Sequence, residues 1–451
     1  MLKASAYLRV MRRDGSALCF HSLFGNLFLL SPEYLLVLDS FIDGKGDPNR
    51  PDVVADLKKA NYLVDEDEDE RNLLRAKNIK WLDSVRGGGQ LKVLNLIISE
   101  ACNFGCGHCL HSCSIKTSTT HGKKKFMDFK TAKRAIDLYR SILTSQGREH
   151  LVIGFGSAEP LLNWQVLKES AGYIRSLDKN AEISVNTNLS LLTFEMACFL
   201  RDNRVYISTS LDGPPEGNDA IRVFPDGGGT FSRIVKKFKL LEAVGYPLDG
   251  FSITINDLNF STITPDFVRW AYNQGFRGIA TDVDLINAQN SSVPVEAYVD
   301  KLIEIRRTCL ELGIENFGSW TTAYHNLVNE PEDGMPAFCK AVKGQSIAVN
   351  PEGMVFICGH TNTPIGDLEH FEEIFGSESE LIKIAESRLP GNNPMCVGCE
   401  IEGICAGQCQ ITREVSKATG NQKDLFLCSL YRLATKRLLE EKLASELTNN
   451  D

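Results

Sequence analysis

Apolar and polar residues follow two different rhythms along this chain. Residues 6–11, 17–21 and 26–30 are short, largely apolar runs that read as the strands of a meander, and Asp14-Gly15 between the first two is a hairpin turn signal. Ser31-Pro32 then supplies an N-cap with proline at the first helical position, predicting a helix over 32–41. A second helix over 53–60 precedes Tyr62-Leu63-Val64 and the acidic run 65–70, read as the solvated start of a polar connecting helix over 71–86. Gly87-Gly88-Gly89 ends it as a joint.

Beyond that joint the rhythm changes. Apolar strands are expected at 94–98, 151–155, 183–187, 205–211, 250–256 and 278–283. Amphipathic helices fall between them at 131–143, 164–177, 192–202, 231–244 and 264–274. Repeated βα units with apolar strands mean an α/β fold with a parallel sheet covered by helices, whose chemistry sits at the C-terminal ends of the strands. Three regions are expected: 1–86, 90–305 and 306–451.

Composition narrows the class. Of 451 residues, 43% are hydrophobic and 24% charged, which suits a soluble globular protein rather than a disordered chain. No run approaches the ~18 apolar residues of a spanning helix, and the first residues lack the apolar core of a signal peptide, so a cytoplasmic location and no membrane partner are expected. A net charge of −9 gives no footprint for nucleic acid. Fourteen cysteines in a reducing compartment argue for metal rather than disulfides, and their clustering argues for it more strongly.

The first cluster is Cys102-Asn103-Phe104-Gly105-Cys106-Gly107-His108-Cys109. Three thiols spaced x3 then x2, directly after an apolar strand, are too close together for the four corners of a closed zinc site. They suit three irons of a cubane iron–sulfur cluster and leave the fourth unclaimed. At this point the sequence resembles the radical S-adenosylmethionine (radical SAM) family. The resemblance implies a partial (β/α)6, TIM-like barrel open on one side. It also implies a [4Fe–4S] cluster whose free iron chelates the methionyl amine and carboxylate of SAM, with His108 at the aromatic position before the third thiol. The family's Gly-Gly-Glu-Pro after the second strand corresponds to Ser157-Ala158-Glu159-Pro160, where two non-glycine residues put the usual backbone geometry in question. After the fourth strand, Ser210 and Asp212 are followed by Arg222, twelve residues past the serine. In the anaerobic sulfatase-maturating branch the matching serine binds the ribose and the matching arginine the SAM carboxylate, a pairing for which a guanidinium fork is well shaped.

A second set of cysteines runs Cys339, Cys358, Cys396, Cys399, Cys405, Cys409, Cys428, with 13 residues between Cys339 and Gly353. This reproduces the seven-cysteine SPASM pattern, and a four-ligand zinc ribbon would leave three thiols unexplained. By resemblance, two auxiliary [4Fe–4S] clusters follow, making three in all. Cys396, Cys399, Cys405 and Cys428 would hold one; Cys339, Cys358 and Cys409 would hold the other. The last thiolate of that other cluster comes from Cys309 or Cys113, or its iron stays open or takes a substrate thiol. Cys19 and Cys198 read as core.

The N-terminal strands and helices resemble the small winged-helix leader-recognition domain fused to many radical SAM peptide maturases, which binds a precursor's leader as an added strand. The implied activity is reductive cleavage of SAM to a 5′-deoxyadenosyl radical and installation of a thioether or C–C cross-link in a ribosomally made precursor peptide. A flavodoxin or ferredoxin would be the reductant. Alternatives are formylglycine formation on a sulfatase, peptide epimerisation, and a non-catalytic iron–sulfur or zinc scaffold. In the sulfatase branch an aspartate follows the second SPASM cysteine, whereas Gly359 and His360 stand here.

Overall fold

The computed structural model describes residues 1–46, 49–110, 125–329, 331, 333–418 and 425–448. Leu8–Arg13, Ser16–His21 and Gly25–Leu30 form an antiparallel meander. Its first turn carries Asp14 at φ 48° and Gly15 at φ 80°, the positive-φ pair that a tight hairpin requires. Helices Pro32–Ile42 and Pro51–Lys59 follow, each opened by proline where no intrahelical N–H is needed. The strand Leu63–Asp65 pairs with Leu2–Ala4, a strand too short to show a period in the sequence. Cys19, Leu38, Val53, Leu57 and Tyr62 belong to a hydrophobic core separate from the main one. The Tyr62 hydroxyl donates to Cys19 O at 2.6 Å, which satisfies the polar end of a buried ring.

The acidic run departs from expectation at its last member. Glu66, Asp67 and Asp69 are exposed, but Glu70 is buried, where it accepts from Ser5 Oγ at 2.5 Å and pairs with His21 Nε2 at 2.9 Å. The His21 Nδ1 accepts backbone N–H groups of Leu23 and Phe24, so its ring proton lies on Nε2 facing Glu70.

The six predicted barrel strands are present in order. Val93–Leu96, Val152–Phe155, Glu182–Asn186 and Val205–Ser208 pair in parallel, and Gly250–Ile255 pairs in parallel with Gly278–Val283. Among the described residues, a single bridge, Ser210 to Ser252, joins the two groups. Leu94, Leu96, Ile153, Phe155, Ile183 and Val185 bury one face. Helices Phe129–Ser145, Trp164–Leu177, Phe194–Asp202, Phe231–Ala243 and Pro265–Asn273 alternate with the strands. The opposite face carries Asn95, Gly154 and Ser184; a Cβ on Gly154 would meet Asn95 Oδ1 at 2.8 Å, so glycine permits the close approach.

Two further strands extend the parallel set, and both lie in 306–451. Glu315–Phe317 pairs with Gly278–Val283, and Ser346–Val349 pairs with Val93–Leu96. Met354–Phe356 and Gly366–Asp367 continue outward in antiparallel fashion. The region carrying the later cysteines therefore shares a sheet with the barrel. Helix Leu425–Thr448 packs against Val295–Glu311 and contributes Leu427, Leu430, Tyr431 and Leu438 to the main core.

Helix Glu70–Val85 docks the N-terminal region on this C-terminal half. Its N-cap Asp69 accepts from Arg71 N. Arg71 reaches Glu402 at 2.8 Å and Gly391 O at 2.8 Å, and Asn78 donates to Pro390 O at 3.0 Å. Gly403 N donates to Ser22 O at 2.8 Å, and a Cβ on Gly403 would lie 2.2 Å from Leu23 O, so only glycine fits.

The Glu402 side chain is 1% exposed, whereas Arg12 and Asp39 pair at 49% and 41% exposure. Arg71→Ala, which strands a buried carboxylate, is expected to lower stability by about 2–4 kcal/mol. Arg12→Ala should cost under about 1 kcal/mol, because that pair is solvated. Chemical denaturation of the two variants side by side checks the contrast.

Candidate active site at the barrel mouth

The loop after the first barrel strand is tied down by its backbone. Gly105 N donates to Val223 O at 2.7 Å and Gly107 N to Ile221 O at 3.0 Å, so the thiol loop is fastened to the segment that carries Arg222. Cys102, Cys106, His108 and Cys109 line one cavity of about 370 Å³ together with Ser157, Ala158, Ser210 and Arg222. Cys102 Sγ accepts from Phe104 N at 3.4 Å and Asn188 Nδ2 at 3.8 Å, donors that favour a thiolate against the burial that raises its pKa. Burial pushes Cys106 up to about 11, with Arg222 pulling it back.

Ser157 takes φ 80°. The chain thus adopts the left-handed conformation that glycine favours, at a cost of about 1 kcal/mol for a residue with a Cβ. Its hydroxyl donates to Gly359 O at 2.7 Å, which fastens the turn to the C-terminal region. Glu159 and Pro160 do not line the cavity. Glu159 is fully buried, accepting from Leu161 N at 2.9 Å, Thr187 Oγ1 at 2.6 Å and Asn188 N at 2.8 Å; it fixes the loop after the third strand, Asn188 included. Burial raises the Glu159 pKa, and these three donors oppose the rise.

Asp212 is likewise buried behind the cavity wall. Its Oδ2 faces Arg222 Nε at 2.6 Å, off the hydrogen-bonding angle, and its Oδ1 accepts from Thr254 N at 2.8 Å. Arg222 is held by this carboxylate while its side chain remains 13% exposed to the cavity. The His108 ring lies 3.6 Å from Asp212 and 3.4 Å from Arg222; burial lowers its pKa, Asp212 opposes that and Arg222 adds to it.

Among the cavity residues that the sequence pattern does not single out are Asn188, Asp282 and His360. Asp282 sits at the end of the sixth barrel strand, half-buried, and accepts from Ser319 N at 2.7 Å. Burial pushes it up to about 6, against that hydrogen bond. The alternation Thr281-Asp282-Val283-Asp284 at a strand terminus was the available signal. Asp284 lines the same cavity and also caps its own turn, accepting from Ile286 N and Asn287 N.

The C-terminal cysteines form two neighbourhoods. Cys409 lies within electrostatic range of Cys339 and Cys358, and burial pushes it up to about 12. Cys405 is similarly close to Cys399, and its pKa is also raised by burial. Cys396 and Cys399 are joined by a turn, Cys399 N to Cys396 O at 2.9 Å, and Gln408 Nε2 reaches Cys428 Sγ at 2.8 Å. Cys309 is packed in the main core, where burial pushes it up to about 12, and Cys113 lies outside the described residues. Cys19 is buried in the N-terminal core and Cys198 is half-buried against the main one.

Among the described residues, no three His, Cys, Asp or Glu side chains converge as ligands of a single ion. Thiols that bind different irons of a cubane stand further apart. Three thiols and a guanidinium lining one polar cavity fit a cluster with three protein ligands beside a zwitterionic cosubstrate. Near the later cysteines, the donors Arg388 Nε and Asn393 Nδ2 are buried without a partner. Orphaned donors of this kind fit an acceptor-rich cluster.

Comparison with known proteins agrees with this donor chemistry. Residues 96–264 match the Radical SAM superfamily. The radical SAM cyclopropyl synthase TigE of Paramaledivibacter caminithermalis is 25% identical over 98% of this chain and 96% of its own length. Native anSMEcpe with bound AdoMet superposes with a TM-score of 0.62 at 16% identity, covering 79% of this chain and 100% of that one. Streptococcus suis SuiB bound to precursor peptide SuiA superposes with a TM-score of 0.53 at 14% identity, covering 94% and 98%. No described helix is long and apolar enough to cross a membrane. Residues 96–264 form a radical SAM domain, and the chain is a radical SAM enzyme, a family whose members use a [4Fe–4S] cluster and S-adenosylmethionine.

Proposed function

We propose that this enzyme closes an intramolecular bond, thioether or C–C, in a ribosomally made precursor peptide. The observation that carries the reading is the free outer edge of Gly25–Leu30, which among the described strands pairs only with Ser16–His21. Beside it lies a cavity of about 490 Å³ lined by Phe28, Leu30, Tyr34 and Tyr62, with Phe28 half exposed. An unpaired edge next to an apolar groove is what an extended peptide needs to add itself as a strand. The likeness to TigE, a cyclopropyl synthase, extends over the N-terminal region as well, which supports a peptide ring closure.

In this reading residues 1–86 would hold the leader, 90–305 form the radical SAM barrel and 306–451 carry the auxiliary clusters. Cys102, Cys106 and Cys109 would hold the radical cluster. The Ser157-Ala158 backbone would meet the methionyl amine, Ser210 the ribose and Arg222 the carboxylate. Glu159, Pro160 and Asp212 position those groups, and His108 closes the cavity beside Arg222. Cys396, Cys399, Cys405 and Cys428 would hold one auxiliary cluster; Cys339, Cys358 and Cys409 would hold another, with a substrate thiolate as its further ligand. A low-potential electron donor of the flavodoxin or ferredoxin class and a reducing cytoplasm complete the setting. When bound, the radical cluster and SAM supply a 5′-deoxyadenosyl radical. The peptide then gives up one hydrogen atom, one electron and one proton as its new bond forms, and Asp282 takes the proton.

Wild-type enzyme, loaded without oxygen and given SAM and dithionite, is expected to release 5′-deoxyadenosine, and co-expressed precursor peptide to lose about 2 Da per event by mass spectrometry. No 5′-deoxyadenosine would reduce the protein to a scaffold, and an unchanged peptide mass would mean epimerisation instead.

Asp282→Asn should still release 5′-deoxyadenosine while cross-linked product drops about 100-fold. A carboxyl whose pKa is raised to about 6 is a base only above that pH, so wild-type product formation should fall as pH drops through about 6, with 5′-deoxyadenosine release less affected. Equal loss of both products in the variant would remove Asp282 from the proton step.

Phe28→Asp places a charge in the apolar groove and is expected to weaken leader binding about tenfold or more, read by fluorescence anisotropy of a labelled leader peptide. Cleavage of SAM without peptide should be unchanged.

A further inference from the structure

Arg388, the last residue of helix Glu380–Arg388, is 1% exposed and among the largest fully buried side chains. Its NH1 donates to Gly407 O and its NH2 to Gln410 Oε1 at 2.9 Å, while Nε has no partner. Both acceptors are uncharged. Burial disfavours its cation most and Arg413 adds repulsion, while the thiols Cys409, Cys339 and Cys405 favour it. A buried guanidinium without a carboxylate is strongly unfavourable unless something anionic stands in for one.

Those three cysteines come from both neighbourhoods, Cys339 and Cys409 from one and Cys405 from the other. Gly407 lies in the loop between Cys405 and Cys409 at φ 84°, and a Cβ there would come within 2.2 Å of Asn393 Nδ2 and 3.0 Å of Arg388 NH1. The loop is shaped to admit two donors, and Arg388 Nε and Asn393 Nδ2 both lack a protein acceptor.

We propose that Arg388 is the fixed counter-charge of the two auxiliary iron–sulfur clusters and raises their reduction potentials. The inference rests on the reading that the C-terminal cysteines hold such clusters. A thiolate-ligated cubane gains one negative charge on reduction, and a cation held nearby in low dielectric stabilises the reduced form more than the oxidised one. Donors aimed at cluster sulfurs act in the same direction. A higher potential suits a cluster that takes the electron released when the peptide radical closes its bond. In that step the peptide is oxidised by one electron, the cluster is reduced by one, and the proton goes to Asp282. Arg388 is a positioning residue, since it touches neither peptide nor SAM.

The test uses the full-length, anoxically reconstituted enzyme with Cys102, Cys106 and Cys109 replaced by alanine, so that only auxiliary clusters are seen. Midpoint potentials are read by EPR-monitored redox titration for the Arg388 parent, Arg388→Met and Arg388→Lys. Arg388→Met is expected to shift the auxiliary potentials to more negative values, and Arg388→Lys to stay near the parent. Loss of auxiliary iron in Arg388→Met but not in Arg388→Lys would also support the counter-charge role. An iron-replete Arg388→Met at the parent potential would overturn it, as would equal iron loss in both variants. Iron content separates this from the underlying reading: a wild-type chain holding about four irons rather than about twelve would sink the auxiliary clusters themselves.

Discussion

The structure depends on the strand Val93–Leu96 being paired in parallel on both sides. Val152–Phe155 lies on one edge and Ser346–Val349 on the other, with Ser346 opposite Val93 and Val349 opposite Leu96. Ile97 N extends the second ladder to Val349 O at 2.9 Å. A slip of one residue would turn Leu94 and Leu96 away from the helices, so burial fixes the register. Because the ladders are parallel, the thiol loop and the turn at Ser157 both leave the same end of the sheet. The chain after Met354–Phe356 is brought back to that end, and the hydrogen bond from Ser157 to Gly359 fastens it there. His360 consequently lines the same cavity as Cys102, although 258 positions separate them in the chain.

A weak seam in the barrel explains why the carboxylate of Asp212 is buried. Among the described residues, the fourth and fifth strands are joined by the bridge from Ser210 to Ser252, with Leu211 N to Ser252 O at 2.9 Å and Ser252 N to Thr209 O at 2.9 Å. Asp212 closes the gap one residue further on by accepting from Thr254 N, and the same side chain holds Arg222. A charge that would be costly if isolated is matched by a guanidinium and a backbone donor. The position of Arg222 in the cavity is therefore coupled to the joining of the two half-sheets.

Most of this was legible in the sequence where a pattern had length. Six strands and five intervening helices announced themselves by period, and helix Trp164–Leu177 was read to the residue. Leu2–Ala4 and Glu315–Phe317 span three residues each, which no periodicity can mark. Ser346–Val349 is apolar enough to be a strand but follows no helix of the βα rhythm, so its place beside the first strand was hidden. At the site, residue types were informative and directions were not. Glu159 and Asp212 look like cavity carboxylates in one dimension, yet both turn inward to organise backbone. Ser157 shows the converse: a sequence without glycine keeps a positive φ, because a side-chain hydrogen bond to Gly359 offsets part of the strain. Glu70 was concealed by its acidic neighbours, since a charge run says nothing about which member meets a histidine 49 residues earlier in the chain.

The N-terminal region and the cysteine-rich segment are held together by one buried carboxylate used twice. Glu402 accepts from Arg71 on the connecting helix and, through Oε2 at 3.1 Å, from Gly398 N in the turn between Cys396 and Cys399. Its burial makes both contacts strong, and removing either donor leaves the other to carry the charge. Gly403, four residues after Cys399, is locked against Ser22 and Leu23 at the end of the meander's middle strand. The loop that bears Cys396, Cys399 and Cys405 is thus shaped from outside by the very region whose free strand edge faces solvent. Rigid contacts at both ends leave little freedom between them, so the distance from that strand edge to the barrel mouth is set by the fold rather than by a flexible tether.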